Sequence, residues 1–348
     1  MLSIGLDVHQ RSSTLCILDP TGRMVKRESI KGHPRRVVDR LRQIDETFQV
    51  CYEASAGYGW LYDQLRPLAK RVVVAHPGQL RLIFRSKHKH DRADAQKLAK
   101  LLYLGEVPPV YVPSSDTRSW RGLIEHRNRC MGERTRAKNG LRALLRTHGI
   151  EAPRGSGLWT GAGMAWLEGL GWPDETSALQ RDQLMSDIHH HTRQLKRVEK
   201  ALLRTADARP GITLLRTIPG VGIRTAEAFL AYVDDADRFG RNKAIGRYFG
   251  LVPKQDASGG VNRMGRITKE GPAIVRKMLV EAAWQGIRRS PKIRDYYERM
   301  KHDRDDRNKK ALVATGHYLA RVMLAMLKTG EVWREQDEPT PPPPRRAA

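Results

Sequence analysis

Two hydrophobic periods alternate along the first hundred residues, and their order leaves few folds open. Residues 3–9 and 13–18 read as strands. Asp19-Pro20-Thr21-Gly22 reads as a turn in which Pro fixes φ and Gly takes the left-handed position, and 23–30 as a third strand. Val37, Val38, Leu41 and Ile44 then recur at helical spacing. After them come a strand ending at Glu53, a helix over 57–69, a strand over 71–75, and a helix carrying Asp91, Asp94, Leu98, Leu101 and Leu102.

Three strands followed by helix-strand-helix-strand-helix is the order of an RNase H-like α/β domain. Within it Asp7 sits inside the apolar run Ser3-Ile4-Gly5-Leu6-Asp7-Val8, where a carboxylate is costly unless paired or metal-bound. Glu53 ends a second apolar run, and Asp91 and Asp94, three apart, share a helix face. In this fold order the four acids converge on one place. Paired hard-oxygen ligands suit Mg²⁺, and such a site supports in-line phosphoryl transfer.

The charge names a polyanion as the substance acted on. With 63 Lys+Arg against 38 Asp+Glu in 348 residues the formal charge is +25, which points to nucleic acid. Cys16, Cys51 and Cys130 are an odd, widely spaced set, so neither a disulfide framework nor a zinc site is expected. No apolar run approaches the roughly 18 residues of a membrane span, and Met1 leads straight into a strand, so a cytoplasmic protein with no membrane partner is expected.

Residues 120–146 form a basic helix candidate, with Arg127, Arg134, Lys138 and Arg142 among its cations. After a Gly-rich loop over 151–172, Leu184, Ile188, His191, Leu195, Val198 and Leu202 make a heptad seam. The pair reads as an antiparallel coiled-coil arm that dimerises and supports nucleic acid, or as a helical hairpin packed on its own domain. His189-His190-His191 cannot share an ion, because consecutive helical residues point about 100° apart. Beyond 209, Ile218-Pro219-Gly220-Val221-Gly222 reads as a helix-hairpin-helix whose Gly220 and Gly222 free backbone N–H groups for a phosphate. The 252–270 loop places Ser258 before two glycines, with Lys254, Arg263 and Arg266 able to hold a phosphate, although no base for the hydroxyl is visible. Helices are expected over 272–286, with Pro272 in its first turn, and 311–328. The boundaries are thus 1–112, 113–208, 209–332, and a Pro-rich disordered tail over 333–348.

Gly5-Leu6-Asp7, Tyr52-Glu53-Ala54-Ser55-Ala56-Gly57, Asp91-Arg92-Ala93-Asp94-Ala95, Ile218-Pro219-Gly220-Val221-Gly222, Gly250-Leu251-Val252-Pro253 and the stretch from Ser258-Gly259 to Lys269-Glu270-Gly271 resemble the DEDD insertion-sequence transposases, a family that includes bridge-RNA-guided recombinases and Piv-type DNA invertases. The resemblance runs from about residue 2 to 330. It implies a RuvC-like domain in which Asp7, Glu53, Asp91 and Asp94 bind Mg²⁺, a coiled-coil arm, and a mainly helical transposase domain whose Ser258, five residues after Pro253, attacks a DNA phosphodiester. It further implies a structured bridge RNA that pairs with donor and target DNA, and a homo-oligomer, a dimer or a synaptic tetramer, in a bacterial, nucleoid-associated setting. Asp256 lies two positions before the serine where related chains can carry an acid directly before it.

A Holliday-junction-type nuclease would use the same carboxylates with water and need no Ser258, and a non-catalytic nucleic-acid-binding protein would not need the acids. An actin-like sugar kinase, suggested by Ile4-Gly5-Leu6-Asp7, fails because His9 and Gln10 replace the small residues needed near ATP phosphates.

Overall fold

The computed structural model describes residues 1–83, 91–258 and 261–335, with the side chains of 91–93, 256–258, 261 and 262 left out. The chain divides into two compact units, Met1–Arg118 and Ser119–Ala348.

The first unit is built on strands β1 (Leu2–Val8), β2 (Ser12–Leu18), β3 (Met24–Lys31), β4 (Phe48–Glu53) and β5 (Arg71–Ala75), with helices α1 (Arg35–Leu41), α2 (Tyr58–Leu65), α3 (Pro77–Ile83) and α4 (Asp91–Leu104). The sheet order is β3-β2-β1-β4-β5. The β1–β2 and β2–β3 pairs are antiparallel, and β1–β4 and β4–β5 are parallel. The β2–β3 turn forms where it was expected. Asp19 Oδ1 accepts from the Thr21 and Arg23 amides at 2.8 and 2.9 Å, while Gly22 takes φ +82°.

Alternation along the strands sorts residues to two faces. Ile4, Leu6, Leu15, Ile17, Val50 and Tyr52 pack with Val37, Val38 and Leu41 of α1 and Leu61 and Leu65 of α2. On the other face Cys16 and Leu18 pack with Ala95 and Ala99 of α4, and Cys51, Val73 and Ala75 with its Leu98, Leu101 and Leu102. Gly5 sits under this helix, and a Cβ there would collide with the Ala95 carbonyl oxygen and the Ala99 amide. The backbone of α4 therefore lies directly on β1. All three cysteines are buried and free, and burial pushes the Cys51 thiol up to about 12.

The second unit holds α5 (Ser115–Thr147, entered from the first unit), α6 (Gly161–Glu168), α7 (Glu175–Asp207), α8 (Pro210–Leu215), α9 (Ile223–Val233), α10 (Ala244–Tyr248), the hairpin β6 (Pro253–Ser258) and β7 (Val261–Ile267), then α11 (Ala273–Arg289), α12 (Pro291–Lys301) and α13 (Asn308–Thr329). Arg127 pairs with Glu199, Gly140 faces Leu184, and Ser177 Oγ meets His148 Nε2 at 2.9 Å, so α5 and α7 run antiparallel. Along the seam Ile188, Leu195, Val198 and Leu202 are buried as expected, but Met185 rather than Leu184 is the buried residue at its start.

The 151–172 connection is not a plain loop. Its Leu158 and Leu167 join Ala137, Leu141, Leu145, Met185 and Ile188 in a core of their own. The lower ends of α5 and α7 contribute Trp120, Ile124, Val198 and Leu202 to the core of the C-terminal helices, where Phe229, Phe249, Leu279 and Met323 are fully buried. Three further expectations change. The 252–270 segment is a two-stranded hairpin rather than a loop, and Pro272 stands at the N-cap of α11 rather than in its first turn. Trp333–Glu335, assigned to the tail by sequence, pack instead: the Trp333 amide donates to Thr217 Oγ1 at 3.1 Å, and Ser290 Oγ donates to Glu335 at 2.9 Å. The remainder of that tail, 336–348, lies outside the described residues. Among the described residues no helix is long and apolar enough to cross a membrane.

Candidate active site and nucleic-acid interface

Register places the acids. Gly5 pairs with Cys51 and Leu6 with Tyr52 across the parallel β1–β4 ladder. Asp7 lies two residues beyond Gly5 and Glu53 two beyond Cys51, so both acids stand on the face covered by α4, at neighbouring strand ends. The direction of α4 follows from its contacts. Its first turns meet Gly5, and Tyr103 in its last turn lies against Gly22, at the opposite end of the sheet. The helix thus runs antiparallel to β1, and its N-terminal turn, with Asp91 and Asp94, is directed toward the end where Asp7 and Glu53 stand. Asp91 is one turn before Ala95; its side chain lies outside the described residues.

Two contacts here were not read from the sequence. His9 Nε2 lies 3.3 Å from the Asp7 carboxylate, and Lys97 Nζ lies 3.2 Å from Asp94 Oδ1. Both follow from local spacing, i to i+2 on a strand end and i to i+3 on a helix, and that spacing was the signal available. Asp7 is mostly buried, with 19% of its side chain exposed against 39% for Asp94, and Glu53 is exposed. Among the described residues no three His, Cys, Asp or Glu side chains group closely enough to hold an ion. Asp7, Glu53 and Asp94 still offer only hard oxygen donors, the chemistry that Mg²⁺ selects.

Ser258 is the last residue of β6 and pairs with Val261 across the turn; its side chain, and all of Gly259 and Gly260, lie outside the described residues. Lys254, Arg263 and Arg266 are exposed on the same hairpin, and Arg263 pairs with Asp256 in the ladder.

The expected nucleic-acid contacts divide. The Arg127 guanidinium donates to Glu199 at 2.6 and 2.8 Å with 16% of its side chain exposed, so it ties α5 to α7. Arg134, Lys138 and Arg142 follow at intervals of four on α5 and form one stripe. Lys138 Nζ and the Arg142 guanidinium lie 4.7 and 5.2 Å from the centre of the Trp159 ring. Burial, with the Arg134 and Arg142 cations beside it, holds the Lys138 ammonium below its usual range. In the hairpin before α9 the two glycines do different work. Gly220, at φ +95°, turns toward α11, where a Cβ would come within 2.6 Å of the Ala282 carbonyl oxygen, so close packing on α11 requires glycine there. Gly222 is exposed, caps α9 without a side-chain bond, and has open space around its Cβ position.

Carboxylates at the ends of adjacent parallel strands, with the first turn of a helix directed toward their end of the sheet, in a strongly basic chain, suit an enzyme that acts on nucleic acid. Comparison with known proteins specifies it: residues 4–150 match the DEDD transposase model of the IS110 type, and residues 212–298 match the model of the IS116/IS110/IS902 transposase family. The chain belongs to the IS110-type DEDD transposases. It is similar to the transposase for insertion sequence element IS1111A of Coxiella burnetii, 25% identical over 291 residues that cover 80% of this chain and 76% of that one. Similar, too, are the IS1328 transposase of Yersinia enterocolitica, 27% identical over 241 residues (67% and 69% covered), and the IS1533 transposase of Leptospira borgpetersenii, 23% identical over 292 residues (81% and 84% covered).

Proposed function

We propose that this transposase cuts and rejoins DNA strands for insertion and excision of its own element, with Asp7, Glu53, Asp91 and Asp94 as metal ligands and Ser258 as nucleophile. The observation that carries the reading is the shared face of Asp7 and Glu53 at neighbouring strand ends, toward which the Asp91–Asp94 turn of α4 is directed. A divalent cation held by these carboxylates would supply Lewis-acid stabilisation for charge developing on a phosphate. His9 and Lys97 orient Asp7 and Asp94, as hydrogen-bonded partners of metal-binding carboxylates do.

The Ser258 oxygen attacks phosphorus, its proton leaves to solvent, and the deoxyribose 3′ or 5′ oxygen departs. The broken bond is thereby stored as a phosphoester that the released hydroxyl can reverse without an external energy source. Lys254, Arg263 and Arg266 on the hairpin neutralise the phosphate. A structured bridge RNA supplies sequence specificity by base pairing. The stripe Arg134–Lys138–Arg142 is its backbone contact, and Gly222 offers amides to a phosphate of the DNA. The working unit is a homo-oligomer, a dimer or a synaptic tetramer joined through α5 and α7, acting on chromosomal DNA in the bacterial cytoplasm.

The test traps the reaction on a nicked suicide substrate in Mg²⁺, denatures it, and maps any protein–DNA adduct. Wild type should give an adduct on the peptide containing Ser258, and Ser258→Ala none. Asp7→Ala, Glu53→Ala and Asp94→Ala should each lose strand cleavage while retaining DNA binding. Cleavage by Ser258→Ala without an adduct would instead select a water-dependent nuclease of the Holliday-junction type. Near-normal cleavage by any two carboxylate variants would remove the metal-site assignment.

A further inference from the structure

Val8 and Tyr52 follow and precede the acids Asp7 and Glu53 along their strands, and strand alternation turns them to the opposite face. There they line an open cleft of about 400 Å³ together with His33, Pro34, Trp60 and Leu61. We propose that this cleft receives one unstacked base of the DNA strand being cut, with Trp60 and His33 as its stacking surfaces. The proposal rests on the reading that Asp7 and Glu53 act on a DNA strand.

The cleft is built for a flat apolar body with a polar edge. Its lining includes a β-branched side chain, a proline and aromatic rings, and Gln10 and Ser55 add polar groups to it. A volume of this size lies in the range, roughly 300–1000 Å³, that small-molecule and cofactor sites occupy. Trp60 leaves 38% of its surface exposed even though the helix that carries it has Leu61 and Leu65 to bury. His33 meets it edge to face, with ring centres 5.7 Å apart at 66°, so the two rings hold each other's orientation. The Arg35 amide donates to His33 Nδ1 at 3.1 Å and fixes the imidazole from behind. Tyr52 is held in the wall by its hydroxyl, which donates to the Tyr58 carbonyl oxygen at 2.7 Å. Gly57 opens α2 at φ +81°, and its Cβ position meets nothing within 4 Å, so the mouth is unobstructed on that side.

The surroundings identify the bearer of that ring. Arg11, Lys31, Arg35 and Arg36 are exposed and adjoin Gln10 and His33 in the chain, and Gly32 and Arg11 are tied by a 2.7 Å backbone bond. Aromatic rings with exposed cations close by in the chain are the pairing by which proteins hold single-stranded nucleic acid, base on ring and phosphate on cation. Because Val8 and Tyr52 are next to the acids, the base held here belongs to a nucleotide beside the cut.

The test uses the full-length protein and an end-labelled single-stranded DNA oligonucleotide spanning one end of the element, with the base removed at one position at a time. Dissociation constants are read by fluorescence anisotropy. Trp60→Ala should weaken binding of the intact oligonucleotide about tenfold, the scale of one base–aromatic stack, and Trp60→Phe should recover most of the loss. At one position beside the cut, removal of the base should weaken wild type by a similar factor and Trp60→Ala no further. The proposal is overturned if Trp60→Ala binds within about twofold of wild type, or if its loss multiplies with base removal at every position. A cycle that closes only with an RNA oligonucleotide overturns the assignment to DNA. The readout is binding, so cleavage by Asp7→Ala would overturn the carboxylate reading while this cycle still decides the cleft.

Discussion

His317 lies in α13 against Gly246, where any Cβ would collide with its ring, and its Nε2 is buried without a hydrogen-bond partner among the described residues. Burial lowers its pKa, and the Arg321 cation lowers it further. The unfolded chain titrates this ring near pH 6.5, so between that value and the lower folded one the unfolded state binds more protons, and stability falls as pH drops. The melting temperature of wild type should therefore decline from about pH 7 to about pH 5.5 more steeply than that of His317→Gln, measured in parallel scans. Equal slopes would assign the acid sensitivity to other groups. Single residues differed in how well the sequence displayed them. The mostly buried, partnered position of Asp7 was legible because a charge inside an apolar run has few structural excuses. Arg127 was not, because the partner that turns it inward, Glu199, is 72 positions away and a basic helix looks alike on every face. Trp60 was equally hidden, since an exposed indole lining a cleft and one packed in a core leave the same local pattern.

At the scale of elements, β1, β2, β4 and β5 were readable because each is a short apolar run, largely buried, while the mostly exposed β3 followed from the Asp19–Gly22 turn before it. Segments whose order comes from packing were not. In α6, Gly163 is required because a Cβ would collide with Gly157 and Leu158, yet glycine in sequence argues against a helix. The β6–β7 hairpin has no apolar alternation, its Met264 and both its arginines being exposed, so it read as a loop. For α5 the stripe Arg134–Lys138–Arg142 gives a measurable expectation. Changing all three to Gln should weaken binding of a structured RNA and make the slope of log K on log salt shallower by about 0.7–0.9 for each phosphate that is no longer neutralised. An unchanged slope would confine the three to holding Trp159 and the 151–172 segment.

The whole molecule carries two sets of cores, one in each compact unit, and the matched transposase models fall mainly on one unit each. Unfolding should then show more than one calorimetric transition. With Mg²⁺ at about a hundred times its dissociation constant, the transition of the first unit should gain roughly 2.7 kcal/mol while the other stays in place. Asp7→Ala should abolish the gain, and a shift of both transitions together would refute the assignment of the ion to the first unit. The contact of α4 on Gly5 sets what mutation can reach in such a protein. Adding one methyl group there must lift or slide the helix that brings Asp91 and Asp94 toward the acids of the sheet, so Gly5→Ala should lose cleavage while still binding DNA. A saturation screen scored by transposition would rank this glycine beside the four acids, although it has no group that could touch a phosphate. Loss of function at Gly5 is thus a report on alignment, and reading such a screen as a map of chemistry would count one residue too many.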